Sequence, residues 1–398
     1  MNSNFSVGVL GAGTMGAGIA QVAATAGHPV VLCDSSPDAL ERARSRLEKI
    51  HARLVEKGRL EEPAAEAILE RIDYTQAVPE MAPCGLVIEA IVEDLAIKKQ
   101  AFRRLEEVVS DQAALATNTS SLAVTAIAAA CKSPQRVLGT HFFNPVPLMA
   151  LVEIVPGIAT SDETVQTVRG WIDDWGKTTV LCKDTPGFIV NRVARPFYGE
   201  ALRILEEGIA DAATIDWAMR EIGGFRMGPF QLMDLIGNDI NYTVTETVFE
   251  AFFYDPRFKP SLTQKRMVDA GRLGRKSGRG FYDYSPDASN PEPVQDRKLG
   301  EEIVQRILVM LINEAADAVF LNVASIEDVD LAMTKGVNYP KGLLRWADEI
   351  GLEKVLRQLQ ELQEEYGEDR YRPNPLLKRM VQRGGIFCHK GTEDTEKG

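Results

Sequence analysis

The sequence predicts an α/β N-terminal domain, built on a doubly wound and largely parallel sheet with a helical-hairpin insertion, followed by two all-α repeat domains. Three observations predict it. A glycine turn, GAGTMG, joins an apolar strand to a small-residue helix near the start, short apolar runs alternate with helical stretches up to residue 182, and the second half matches itself at a constant offset.

The elements follow in order. FSVGVL (5–10) reads as a strand, MGAGIAQVAATAG as a helix and PVVLC as a second strand, which makes one βαβ unit. Residues 37–71 are charged and amphipathic, and suit two helices broken at Gly58. GLVIEA (85–90), ALATNT (114–119), VLGTHF (137–142) and LVEIV (151–155) supply further strands, and TTVLC (178–182) the last. This places the first domain at 1–183. After KDTPGF (183–188) long helical periods take over, giving helical domains at 184–285 and 294–391 with SPDASNPEP (285–293) as their linker. Arg192 aligns with Arg306, Glu200 with Glu314, Asp216 with Asp330, Gly228 with Gly342 and Asp234 with Asp348, a register kept without gaps. KRMV also occurs twice, at 265–268 and 378–381.

The 398 residues carry a formal charge of −12, with no basic block, so a nucleic-acid partner is not expected. No run of 18 apolar residues suggests a membrane span. Five widely spaced cysteines, with neither CxxC nor Cys/His ligand spacing, predict a reducing, cytoplasmic setting and no metal site.

Gly11, Gly13 and Gly16 form G-x-G-x-x-G in a strand–turn–helix context, where backbone amides at a helix N-terminus meet a pyrophosphate. Asp34 ends the second strand, placed to accept from a ribose diol. It would repel a 2′-phosphate, and Ser35-Ser36 offer no arginine, so NAD is favoured over NADP. An FAD site opens in the same way, though no second nucleotide signature accompanies this one. In EAIVEDLAIKK, Glu93 and Lys98 fall where a strand gives way to a helix. A nicotinamide ribose contact and a solvated helix start fit that spacing equally well.

His141 follows VLGT and therefore stands at the carboxyl end of a strand, the edge where open α/β sheets bind ligands. Oxidising an alcohol with NAD needs a base active near neutral pH, which an imidazole provides. Glu153, inside the apolar run LVEIV, is costly to bury as an anion unless a partner such as that imidazole faces it. NTSS (118–121) ends another strand and brings the Ser120 hydroxyl to the same edge.

Together, THFFNPVPLMALVEIV, ATNTSSL, KDTPGFIVNR and GAGTMGAGIA resemble the L-3-hydroxyacyl-CoA dehydrogenase family, including its 3-hydroxybutyryl-CoA dehydrogenase members, over roughly residues 5–285. The later repeat resembles the duplicated C-terminal module of longer relatives. The resemblance implies a Rossmann-type domain and reversible NAD-linked oxidation of a 3-hydroxyacyl-CoA, a step of fatty acid metabolism in β-oxidation. It implies His141 as general base, Glu153 as its charge partner, Ser120 on the reacting oxygen and Asn191 orienting imidazole and substrate. Thr14, Met15, Glu93, Lys98, Asn118 and Asn144 join the glycines and Asp34 at the cofactor, and Lys57 meets CoA phosphate. A small polar CoA contact expected one helical stretch earlier falls on Ile50. The family also implies a homodimer, or a monomer whose second helical module replaces the partner, with a cleft between the first domain and the first module. Gln305 stands at the repeat position of Asn191, which predicts one active site per chain. Two other readings are a dehydrogenase of a free hydroxy acid or carnitine-like substrate, and a non-catalytic NAD-binding protein.

Overall fold

The computed structural model describes residues 5–387 in two units, one ending at Phe188 and the other beginning at Ile189. Cys388 and the last positions of the second predicted repeat, 388–391, lie outside the described residues. Among the described residues no helix is long and apolar enough to cross a membrane.

The first unit runs β1 (Ser6–Leu10), α1 (Thr14–Thr25), β2 (Val30–Cys33), α2 (Pro37–Glu56), α3 (Glu62–Glu70), β3 (Ile72–Thr75), β4 (Cys84–Glu89), α4 (Leu95–Val108), β5 (Ala114–Thr117), α5 (Val124–Ala128), β6 (Val137–Phe142), β7 (Leu151–Pro156), α6 (Asp162–Asp174) and β8 (Thr178–Leu181). The sheet order is β3-β2-β1-β4-β5-β6-β7-β8. Every neighbouring pair is parallel except β6 and β7, which run antiparallel. The chain winds outward both ways from β1, so the crevice between the carboxyl ends of β1 and β4 is the switch point where such sheets take ligands. Helices cover both faces, and the strands are buried on both. In β4, Leu86 and Ile88 join one core while Val87 joins the other.

β3 was not among the expected strands. Its four residues, IDYT, follow directly on α3, and only Ile72 and Thr75 are buried, so no alternation separates it from the helix before it. The insertion between β2 and β3 is the expected helical hairpin. Ser36 caps α2 by accepting from the Ala39 N–H, Pro37 presets its first turn, and Gly58, at φ +63°, ends it.

The second unit contains α7 (Val190–Val193), α8 (Arg195–Glu206), α9 (Ala212–Trp217), α10 (Pro229–Ile236), α11 (Asn238–Ala251) and α12 (Leu262–Asp269), then α13 (Arg297–Phe320), α14 (Ile326–Gly336), α15 (Leu343–Ile350), α16 (Leu352–Tyr366) and α17 (Pro375–Arg383). Two of the repeated pairs, Asp216 with Asp330 and Gly228 with Gly342, have one physical explanation. Asp216 accepts the N–H groups of Phe230 and Gln231, both at 2.9 Å, and so caps α10. Asp330 accepts those of Leu344 and Arg345 at 2.8 and 3.0 Å, at the start of α15. A side chain on Gly228 would strike Asp216, and one on Gly342 would strike Asp330.

The two helical segments exchange ion pairs reciprocally. Arg192 Nε donates to Glu314 at 2.7 Å and Arg306 Nε to Glu200 at 3.1 Å. Arg257 pairs with Glu314, as Arg370 does with Glu200. Each bond and its mirror image join equivalent positions, which is the signature of a two-fold relation between the halves of this unit.

Candidate active site

The glycine turn is built by close approach. Gly11 has φ +108°, and a Cβ there would lie 2.6 Å from the Ala90 carbonyl oxygen; a Cβ on Gly16 would lie 1.8 Å from the Gly11 oxygen. Gly13 faces open space at the N-terminus of α1, so its backbone remains approachable. Thr14 and Met15 open α1, and Thr14 Oγ1 accepts from Arg46 of α2 at 2.9 Å. Asp34 accepts the Ala12 N–H at 2.8 Å through one oxygen and the Ser36 N–H at 2.9 Å through the other. Both oxygens keep a lone pair for a diol. These residues fit an NAD adenosine and pyrophosphate. Gly16→Ala is expected to weaken NADH binding by at least about tenfold, because relieving the overlap means moving the turn, at an overpacking cost of about 1–3 kcal/mol. Fluorescence titration with NADH checks this, and unchanged affinity would show that the turn relaxes freely.

At the end of β4, Glu89 is fully buried. It accepts Lys98 Nζ at 2.6 Å and Thr117 Oγ1 at 2.7 Å. Lys98 is also buried and lies 3.2 Å from Glu93, so one ammonium serves two carboxylates. Glu93 Oε1 accepts from Thr119 Oγ1 at 2.6 Å, from the Ser120 N–H at 3.0 Å, and from the N–H and hydroxyl of Ser121. Burial pushes the Glu93 carboxyl up, but the Lys98 charge and these hydrogen bonds outweigh it and hold the group below its usual range. The structure therefore ties Glu93 and Lys98 to the loop that carries Ser120. At the other end of that loop, Asn118 Oδ1 accepts the N–H of Phe142 at 2.8 Å, beside His141.

Antiparallel pairing of β6 and β7 sets His141 directly opposite Glu153. His141 Nδ1 lies 2.6 Å from Glu153 Oε2, and the carboxylate is fully buried. With Nδ1–H given to the carboxylate, the neutral ring carries its lone pair on Nε2. Phe143 and Phe188 pack on the ring at centroid distances of 4.5 and 5.7 Å. Asn144 is exposed and begins the cis Asn144–Pro145 turn. Lys177 steadies that connection, donating to the carbonyls of Val146 at 2.6 Å and Met149 at 2.9 Å. Lys57 is the exposed C-cap of α2, and Ile50 lies on the same helix, partly exposed. Asn191 belongs to the second unit, half-buried in α7.

Sequence reasoning missed Glu89, Lys177 and Arg46. The signal for Glu89 was present: an acid ending the apolar run GLVIEA raises the same question that Glu153 raised in LVEIV.

Comparison with known proteins places these features in a family. The model of the 3-hydroxyacyl-CoA dehydrogenase NAD binding domain matches residues 6–185, and that of the C-terminal domain matches 187–284 and again 303–392. A 3-hydroxyadipyl-CoA dehydrogenase of Escherichia coli is 41% identical, over 94% of this chain and 97% of its own. A probable 3-hydroxybutyryl-CoA dehydrogenase of Bacillus subtilis is 43% identical, over 71% of this chain and 98% of its own. The crystal structure of a 3-hydroxybutyryl-CoA dehydrogenase from Escherichia coli superposes with a TM-score of 0.91 at 39% identity, covering 96% of this chain and 99% of that one. The chain belongs to the 3-hydroxyacyl-CoA dehydrogenase family, whose members are NAD-dependent oxidoreductases.

Proposed function

We propose that in this NAD-dependent 3-hydroxyacyl-CoA dehydrogenase His141 is the general base. The observation that carries the reading is the 2.6 Å contact to a fully buried Glu153. In oxidation Nε2 takes the proton of the substrate's 3-hydroxyl while Glu153 balances the imidazolium that forms; in reduction the same nitrogen returns the proton. NAD supplies the hydride acceptor. The Ser120 hydroxyl holds the reacting oxygen, and we assign Asn191 to the same oxygen on the strength of its VNR motif. Gly11, Gly13, Gly16, Thr14 and Met15 hold the pyrophosphate end, and Asp34 holds the adenosine ribose. Glu93, with Lys98 beneath it, and Asn118 and Asn144 border the nicotinamide end.

A stripe on α2 favours a CoA thioester over a free hydroxy acid. Arg42, Arg46, Lys49, Arg53 and Lys57 recur at spacings of three or four, so they share one face, and all five are exposed. A cationic face on a chain of net charge −12 suits the phosphates of a polyanionic carrier. Ile50 removes one polar contact from this helix without interrupting the stripe.

The test is NADH oxidation with acetoacetyl-CoA and with free acetoacetate. Turnover of the thioester alone is expected, and Lys49→Glu/Arg53→Glu is expected to raise its KM roughly tenfold, about 1.4 kcal/mol, while NADH affinity holds. Turnover of the free acid, or a KM unmoved by both charge reversals, rejects the CoA reading. Binding of NADH with no turnover of either compound rejects the enzymatic one.

We read the second helical segment as taking the place of a partner subunit, which makes a monomer the expected state. Among the described residues Cys33, Cys84 and Cys131 are free thiols, which suits a cytoplasmic location.

A further inference from the structure

The crevice between β1 and β4 holds a charge that the chemistry described so far does not use. Glu89 ends β4 in register with Leu10 of β1 on one side and Thr117 of β5 on the other, so it stands at the switch point of the sheet. Like Glu153 it is an acid inside an apolar strand, but the cation it meets is an ammonium. Its oxygens accept from every partner named for them. Oε1 accepts the Ile91 N–H at 2.7 Å and Lys98 Nζ at 2.6 Å, and Oε2 accepts the Thr117 hydroxyl at 2.7 Å. The Thr117 oxygen in turn accepts the Thr119 N–H at 3.2 Å, so the proton between Thr117 and Glu89 belongs to the threonine. The group is a carboxylate anion.

Glu93 is held in the same way. Its Oε1 accepts from Thr119 Oγ1 at 2.6 Å, and that oxygen itself accepts the Leu122 N–H at 3.0 Å. Two carboxylates, Glu89 and Glu93, therefore share the one ammonium of Lys98, which leaves the cluster with a net charge of −1. One acid suffices to neutralise a buried lysine. The second is an excess. Glu89 and Lys98 are at most 1% exposed, so solvent screens them weakly, whereas the Glu93 side chain is 36% exposed and opens the cluster to the crevice. The partial positive charge at the start of α4 is met separately by Asp94, which accepts the Ile97 N–H at 2.9 Å.

A nicotinamide ring is positively charged when oxidised and neutral when reduced. We propose that the cluster of Glu89, Lys98 and Glu93 discriminates between the two redox forms of the cofactor, its surplus negative charge favouring NAD⁺ over NADH, with Glu89 as the residue that supplies the surplus. The proposal rests on the reading that sets Glu93 and Lys98 at the nicotinamide end, and gives that end a thermodynamic role besides a binding one. Tighter binding of the oxidised form lowers, by linkage, the reduction potential of the bound couple.

The test is equilibrium binding to the full-length chain, with NADH followed by its fluorescence and the other ligands by displacing it. Glu89→Gln keeps the shape of the side chain and removes its charge. It is expected to shift the ratio of the NAD⁺ and NADH dissociation constants roughly tenfold towards NADH, the scale of one partly screened unit charge. Glu89→Gln/Lys98→Met restores the net negative charge through Glu93 alone, and is expected to return the ratio to within about threefold of the wild-type value. A purely structural Glu89 would weaken both forms together. An unchanged ratio in the single variant, or one that the double variant does not restore, overturns the proposal. ADP-ribose, which lacks the ring, is expected to bind the wild-type chain and Glu89→Gln alike; if it weakens as much as NAD⁺ does, the cluster serves another part of the cofactor, and the reading that sets it at the nicotinamide end falls too. Should the variants not fold, the wild-type chain decides. Benzamide adenine dinucleotide carries an uncharged ring of nicotinamide shape and is expected to bind roughly fivefold or more weakly than NAD⁺, and parity overturns the assignment.

Discussion

His141→Gln is expected to lower kcat for 3-hydroxyacyl-CoA oxidation by roughly 1,000-fold, within the range of about 10²–10⁴ that a positioned general base supplies. Glutamine can still hydrogen-bond Glu153 but cannot take a proton. NADH affinity should hold, because the glycine turn and Asp34 lie at the ends of β1 and β2 and the start of α1, and among the described residues the hydrogen bonds of the Asp34 carboxylate stay within that region. Glu153→Gln should cost less, roughly 100-fold, since the base survives without its charge partner. The double variant should be no slower than His141→Gln alone, because the two groups act on one proton. Stopped-flow hydride transfer with NADH titration checks all three. Multiplicative losses in the double variant would separate the two roles and leave Glu153 as a purely structural acid.

Arg192→Met is the second substitution with a large effect, expected on stability. Arg192 is 1% exposed and binds Glu314 at 2.7 Å and Asp317 at 2.5 Å. Its loss leaves two buried carboxylates with one remaining cation, Arg257, and only Asp317 keeps a further donor in Asn374; truncating one partner of a buried ionic group costs about 3–5 kcal/mol. Arg306→Met should cost less. Arg306 is 9% exposed, and its partner Glu200 keeps Arg370 and the Tyr371 hydroxyl. Arg192→Lys should recover only part of the loss, because an ammonium lacks the fork that spans both acids. Urea unfolding in a Trp171→Phe/Trp175→Phe background, which leaves Trp217 and Trp346 as the reporters, reads this unit. A loss below about 1 kcal/mol for Arg192→Met would mean that the ion lattice is surface-like in strength.

The sequence made legible whatever depends on local pattern. The glycine turn, the hairpin ended by Gly58 and the His141–Glu153 pairing could all be read because each is set by a turn or by a strand register a dozen residues long. β3 could not, because four residues at a sheet edge carry too little periodicity. The link from Glu89 through Lys98 and Glu93 to the Ser120 loop crosses three elements, and no spacing in the chain announces it. The ammonium of Lys98, expected near a ribose, is held by two acids, Glu89 and Glu93, a pairing that the spacing alone does not show. The burial of Arg195 was silent for another reason. At the start of a helix an arginine reads as surface, and only Val309 at the matching position exposes it as a buried exception.

The reciprocal ion pairs have a consequence for what the chain is free to change. In a dimer of identical subunits every substitution appears on both sides of the axis at once, so a group useful on one side is imposed on the other. Two segments joined in one polypeptide escape that coupling. The lattice of Arg192, Glu314, Arg306 and Glu200 keeps the halves registered, while the equivalent positions Tyr339 and Phe225, and Arg195 and Val309, differ without either needing to suit a mirror image of itself. Held in one polypeptide, two equivalent surfaces are free to specialise independently.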